Sequence, residues 1–169
     1  MTSRYSWLLL LSTLVCVSSC GIFYDFKGIS IDSKIKTFYV EDFVRGVPDC
    51  PVDLDQRFAE LLRQKVRDES PLIRDENEPD IAFLGTVTSY RTVSVAPEEG
   101  ATTSLNRLEI NVRVELINYL DEEKNWKKSY NAFQDYDSNI DFGAIEETIT
   151  ADIIDDIVER IFNDAFTNW

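Results

Sequence analysis

The sequence contains no histidine, and that removes a good deal of chemistry at once. Without imidazole there is no Ser-His or Cys-His nucleophile arrangement and no zinc cluster of the mixed cysteine–histidine kind. Positive charge is also short: 17 lysines and arginines face 31 aspartates and glutamates, a formal net charge of −14 at pH 7. Such a surface repels nucleic acid and anionic head groups at long range. No nucleic-acid partner is expected, and an anionic ligand would need a local basic patch or bridging divalent cations. Long apolar runs are missing as well. The one marked run, Trp7–Val17, would make a helix roughly half as long as the hydrocarbon core is thick, too short to span it. Only three cysteines are present, Cys16, Cys20 and Cys50.

What is there begins with that short run. Arg4 precedes it, and the small residues Ser18 and Ser19 follow it directly before Cys20. A basic flank, a short apolar stretch and small residues at its end make a secretory signal peptide. "VSSC" resembles the bacterial lipobox, in which the cysteine is diacylated, the chain is cut just before it and the new N-terminus is acylated. The expected organisation is a lipoprotein signal peptide over 1–19, a lipidated N-terminus and tether over 20–33, and one domain over 34–169. An ordinary signal peptide with an incidental cysteine is the alternative at this point. Each buried CH₂ contributes about 0.8 kcal/mol, so three acyl chains on Cys20 would anchor the chain durably without a spanning helix. With Cys16 removed and Cys20 acylated, Cys50 has no intrachain partner, which excludes a disulfide framework. Cys50 then reads as a small, half-buried residue. No cofactor is expected beyond the covalent lipid.

The rest of the chain is long enough for one sizeable core. Lys34–Val40 is β-branched and aromatic and predicts a first strand. Asp53 and Gln56 have the capping-box spacing, and Leu54, Phe58, Leu61, Leu62 and Val66 recur at helical intervals up to Pro71. Asp80–Val95 is a long run of β-formers with Gly85 inside it, where a bulge or kink is expected. After a Pro/Gly loop, Leu108, Ile110, Val112, Val114 and Leu116 alternate with Arg107, Glu109, Asn111, Arg113 and Glu115. One face of that strand is buried and the other is wet. "NYLDEEKN" is a charged turn, and Trp126–Ser138 is a fourth strand. A cap within Ser138–Asp141 opens a long helix with an apolar stripe from Ile145 to Phe166. Its acids, Glu146, Glu147, Asp152, Asp155, Asp156 and Glu159, read as a solvated face and not as an EF-hand loop. The order β-α-β-β-β-α predicts an α+β two-layer sandwich, with two helices packed on one face of a four-stranded mixed sheet.

The lipobox followed by "CGIFYDFKGISI", then "KTFYVEDF", "LNRLEINVRVELIN", "FQDYDSN" and "IFNDAFTNW", resembles the LptE family in its Bacteroidetes-type form. The resemblance spans the chain from Cys20 onward and includes no catalytic motif. It implies a two-helix, four-strand lipoprotein at the periplasmic face of the outer membrane. There it would plug an LptD-like β-barrel and help place lipopolysaccharide in the outer leaflet, without being an enzyme. Gly21 agrees with that address, because it is not the aspartate that retains lipoproteins at the inner membrane of enterobacteria.

A barrel lumen is polar, so a polar sheet face and charged loops suit a plug. The loop Pro97–Ser104 and the wet face around Arg107 and Arg113 are the expected barrel contacts. Lipopolysaccharide phosphates would call on Arg91, Arg107, Arg113, Lys127 or Lys128, since Arg offers bidentate donors and Lys a point charge. The same five side chains read equally as counter-charges on an acidic surface. Two other classes compete. One is an envelope lipoprotein of similar fold serving a secretion or ABC-transport complex. The other is a hydrolase, which would need two carboxylates converging in a cleft roughly 5–9.5 Å apart.

Overall fold

A computed structural model describes residues 31–96 and 104–167. The expected signal peptide 1–19, the expected lipidation at Cys20, the expected tether up to residue 30 and loop residues 97–103 lie outside the described residues. The chain forms an α+β fold with two helices and a mixed sheet. In order the elements are β1 (Thr37–Val40), β2 (Val44–Arg45), α1 (Leu54–Glu69), β3 (Ile73–Arg74), β4 (Ile81–Val95), β5 (Leu105–Asn118), β6 (Trp126–Asp137) and α2 (Phe142–Phe166). A 3₁₀ turn, Glu122–Lys124, joins β5 to β6.

The sheet runs β3-β1-β4-β5-β6, and β2 adds to β4 beside β1. Pairings of β1, β2 and β3 are parallel, whereas β4, β5 and β6 form an antiparallel meander. The sheet therefore has six strands and not the expected four. The two extra strands are two residues each, too short to carry any alternation that marks a strand in sequence. β1 also starts later than its β-forming residues suggest. The Asp32 carboxylate accepts from the Lys34 amide (3.0 Å) and the Asp32 carbonyl from Ile35, which ties residues 32–35 into a turn.

α1 buries Leu54, Phe58, Ala59, Leu62 and Val66, the expected stripe with Ala59 added and Leu61 at its margin. Asp53 does stand at the N-cap, but its side chain makes no cap hydrogen bond, so the capping box does not form. At the other end Ser70 Oγ donates back to the Val66 carbonyl (2.6 Å) before Pro71. Lys65 joins the two helices: it pairs with Glu69 (2.7 Å) and Glu159, and its ammonium lies 5.5 Å from the Phe162 ring centre.

β5 alternates as expected, with Leu108, Ile110, Val112, Val114 and Leu116 buried. β4 does not bulge at Gly85, which pairs regularly with Val114. Gly85 is bare for another reason: a Cβ there would lie 2.3 Å from the Phe43 ring, which stacks on Phe58 at 5.9 Å. The register shift falls between Val87 and Ser89 instead. That one extra residue inverts the parity of β4. Tyr90, opposite Ile110, joins the buried face, and Arg91, opposite Glu109, joins the open one.

Two phenols tie α2 to the buried sheet face. Tyr90 donates to Glu146 (2.6 Å) and Tyr130 donates to Asp164 (2.9 Å). Burial first, and the neighbouring carboxylate second, push both phenols above their ordinary pKa. Glu146 is thus not part of a wholly solvated acidic face. Phe166 meets Phe83 edge-on at 6.1 Å, and Cys50 is buried with its thiol against the Val47 carbonyl (3.3 Å).

Candidate functional site

The open face of β4, β5 and β6 is where polar side chains collect. Strict alternation of β5 turns Arg107, Glu109, Asn111, Arg113 and Glu115 away from the core, and all but Arg113 meet a side-chain partner across the ladder. Arg107 makes a two-pronged ion pair with Asp135 (2.6 and 2.9 Å), and its guanidinium lies over the Phe133 ring, 3.8 Å from the centre. That pairing holds the Asp135 carboxyl below its usual range. Arg91 pairs with Glu109 through Nε (2.9 Å) and Nη2 (2.7 Å). Asn131 donates to Asn111 (2.6 Å), and Lys127 pairs with Glu115 (2.6 Å).

Four of the five basic residues singled out in the sequence therefore share this face: Arg91, Arg107, Arg113 and Lys127. Lys128 does not. It stands opposite Val114, on the helix side of the β6 edge, paired with Asp164 of α2 (3.0 Å) and 5.3 Å from the Trp126 ring centre. Lys127 and Lys128 are neighbours in sequence but face opposite sides of the sheet, as any consecutive strand residues must. Three of the four open-face cations are already neutralised. Arg113 is exposed and forms no ion pair among the described residues. It lines a cavity of about 220 Å³ with Thr86, Glu115, Lys127, Glu41 and Asp42.

The other end of the same face has a different character. Tyr39, Ala82 and Ile117 line up across β1, β4 and β5, with Leu84 beside them. Exposed Tyr119 and Leu120 continue the patch, and Glu41, Glu76, Glu78 and Asp80 border it around a groove of about 640 Å³. This patch was not singled out from sequence. The available signal was the apolar pair Tyr119–Leu120 inside a turn read only for its charges. Among the described residues no three metal-ligating side chains cluster, and no helix is long and apolar enough to cross a membrane.

An alternating open-faced strand between two long partners, flanked by two helices, is a layout that can be compared with known proteins. A family model described as LptE, lipopolysaccharide-assembly, matches residues 35–165. The chain belongs to the LptE family. Its match starts in the turn before β1 and ends in the last turn of α2, so the LptE region takes in the whole sheet. No curated protein matches the sequence. Among solved structures, the hypothetical protein CT253 from Chlamydia trachomatis is similar at 10% identity with a TM-score of 0.52. That alignment covers 79% of this chain and 99% of the other. Protein XCC0632 from Xanthomonas campestris, of family DUF330, is similar at 10% identity with a TM-score of 0.51, covering 79% and 87%. At such identities the likeness is one of fold. At family level the chain is a lipopolysaccharide-assembly protein, and LptE proteins associate with LptD.

Proposed function

We propose that this chain is an outer-membrane lipoprotein, lipidated at Cys20 and held at the periplasmic face, that serves as plug and assembly partner of an LptD-like β-barrel. With that barrel it places lipopolysaccharide in the outer leaflet. The role is one of fit and positioning, without catalysis and without a cofactor beyond the lipid. The observation that carries this reading is the family match over residues 35–165.

The open sheet face supports it. A barrel lumen is lined by polar side chains, so a plug needs a surface that is polar yet already internally satisfied. The ladder Arg91–Glu109, Arg107–Asp135, Asn111–Asn131 and Glu115–Lys127 is of that kind. In this reading the domain is a two-layer sandwich with both helices on one face. The contacts of Phe166, Glu146 and Asp164 with Phe83, Tyr90 and Tyr130 support that arrangement. Arg91, Arg107, Arg113 and Lys127 face the barrel or the lipopolysaccharide phosphates, while Lys128 serves α2.

Affinity purification from the native membrane, followed by mass spectrometry, tests the reading. An LptD-like barrel is expected among the captured proteins. Recovery of a secretin or an ABC transporter in its place overturns it. Cys20→Ala should abolish acyl labelling and leave unprocessed precursor; unchanged labelling refutes the anchor.

A further inference from the structure

The two edges of the sheet are unlike. One ends in β3, two residues long and too short to template another strand. The other is β6, 12 residues with no proline or glycine, in unbroken register with β5. Just past β6 the Ser138 amide donates to the Ser104 carbonyl (3.0 Å), which puts the even-numbered residues of β6 in the hydrogen-bonded pairs with β5. The amides and carbonyls of Lys127, Ser129, Asn131, Phe133 and Asp135 therefore point to the free edge. Arg160 of α2 agrees with that direction, since its Nη1 donates to the Asn131 carbonyl (2.9 Å). No second strand pairs with β6 among the described residues.

An open edge of this length is a template for one more strand. The order of side chains along it says which strand. Lys127, Ser129, Asn131, Phe133 and Asp135 share the open face, with a cation at one end, a carboxylate at the other and an amide midway. Laid antiparallel on a second copy about a two-fold axis at Asn131, the strand complements itself. Lys127 meets Asp135 of the second copy, symmetry repeats that pair, and the two Asn131 side chains meet between them. Lys127 is already paired with Glu115, and Asp135 with Arg107. Self-pairing thus makes two rows of alternating charge four strands wide, Glu115–Lys127 of one copy continuing into Asp135–Arg107 of the other. Between them runs an amide row built from Asn111 and Asn131 of each copy. The register that sets Lys127 against Asp137 leaves Asp135 facing Ser129 and breaks the amide row. A foreign strand would use the backbone groups alone; the mirrored order of charges favours a second copy.

We infer that two copies of this chain pair antiparallel along β6, centred on Asn131, to form one continuous sheet with both open faces on the same side. Arg160 guards the edge in the single copy, and its contact with the Asn131 carbonyl gives way on pairing. The inference concerns copies of this chain alone and holds or fails whether or not a barrel is captured.

Cysteine cross-linking of the full chain in its native membrane tests it. Asn131→Cys sets the two Cα atoms about 5.5 Å apart, within disulfide reach, so oxidation should give a two-copy band on a non-reducing gel. Ser129→Cys should not link, because its two copies lie about 14 Å apart along the strands. The unaltered protein, with Cys50 buried, is the blank. Lys127→Glu added to Asn131→Cys should lower the linked fraction about ten-fold, since two repulsive cross-strand pairs replace two attractive ones. Its melting temperature should barely move, because the Lys127–Glu115 pair is exposed. Sedimentation of the unaltered protein in detergent should show two copies per particle as concentration rises. Absence of the Asn131→Cys link, or one copy per particle at every concentration, overturns the inference. Equal linking through Ser129→Cys overturns it too, since that reports collision and not register. So does linking that Lys127→Glu leaves unchanged, or a link from position 131 to a different protein, whose strand would then be the occupant.

Discussion

At Gly85 a missing side chain matters more than any backbone freedom. Phe43 reaches across from the β1–β2 connection and lies where a Cβ would be, with no layer of atoms between ring and strand. Gly85→Ala should force the ring off Phe58 and cost about 1–3 kcal/mol, read as a lower urea midpoint. An unchanged midpoint would mean the ring has room to shift. Asp80 is the second residue on which local geometry turns. Its carboxylate accepts the Lys36 and Thr37 amides, while Thr37 Oγ1 accepts the Asp80 amide (2.8 Å), stitching the start of β1 to the start of β4. Those backbone donors hold the carboxyl below its ordinary range. A group whose pKa is lower folded than unfolded stabilises above its unfolded pKa, about 3.9, and loses that contribution as pH falls through the folded value. Asp80→Asn should therefore be less stable than the unaltered protein at pH 6, and the gap should close below about pH 4. Parallel denaturation curves across pH measure it; a constant gap would contradict the assignment.

Among elements, α2 is held by more than its isoleucines. Tyr90 and Tyr130, 40 positions apart by their numbering, both reach from the buried face to acids on the helix. Tyr90→Phe and Tyr130→Phe should each cost about 1 kcal/mol, and their effects should add because the two contacts share no partner. Thermal melts of the two single variants and the double variant check this. These contacts also mark the limit of what was legible in the sequence. Long periodic segments declared themselves: the β5 alternation, the α1 stripe and the α2 stripe all stand where the pattern put them. What failed was anything that depended on one extra residue or two short strands. A register shift at Thr88 has no compositional sign, yet it decides that Tyr90 faces α2 and Arg91 faces out. Two-residue strands are made by parallel pairing to β1 and β4, a tertiary event that local sequence does not encode. The acids of α2 looked alike by composition. Only the sheet opposite distinguishes Glu146, which accepts a phenol, from Asp152, which is exposed.

For the whole molecule, the charge balance of −14 does not leave the open face simply acidic. Its cations are spent on neighbours in a ladder that needs no partner, with Arg113 the exception. Arg107 and Arg113 therefore separate two roles that charge alone would merge. Arg107→Glu places a carboxylate against Asp135 and removes the cation over Phe133, so both folding stability and capture of the barrel should fall. Arg113→Glu breaks no ion pair among the described residues, so its stability should stay within about 0.5 kcal/mol of the unaltered protein. Its effect should appear only in capture, because a free guanidinium on a polar face has its donors available for carboxylate or phosphate. Melting curves and co-purification yield, measured on both variants, distinguish the cases. If Arg113→Glu retains full barrel recovery, the unpaired arginine is surface charge, and contact must come from the satisfied ladder by shape and hydrogen bonding.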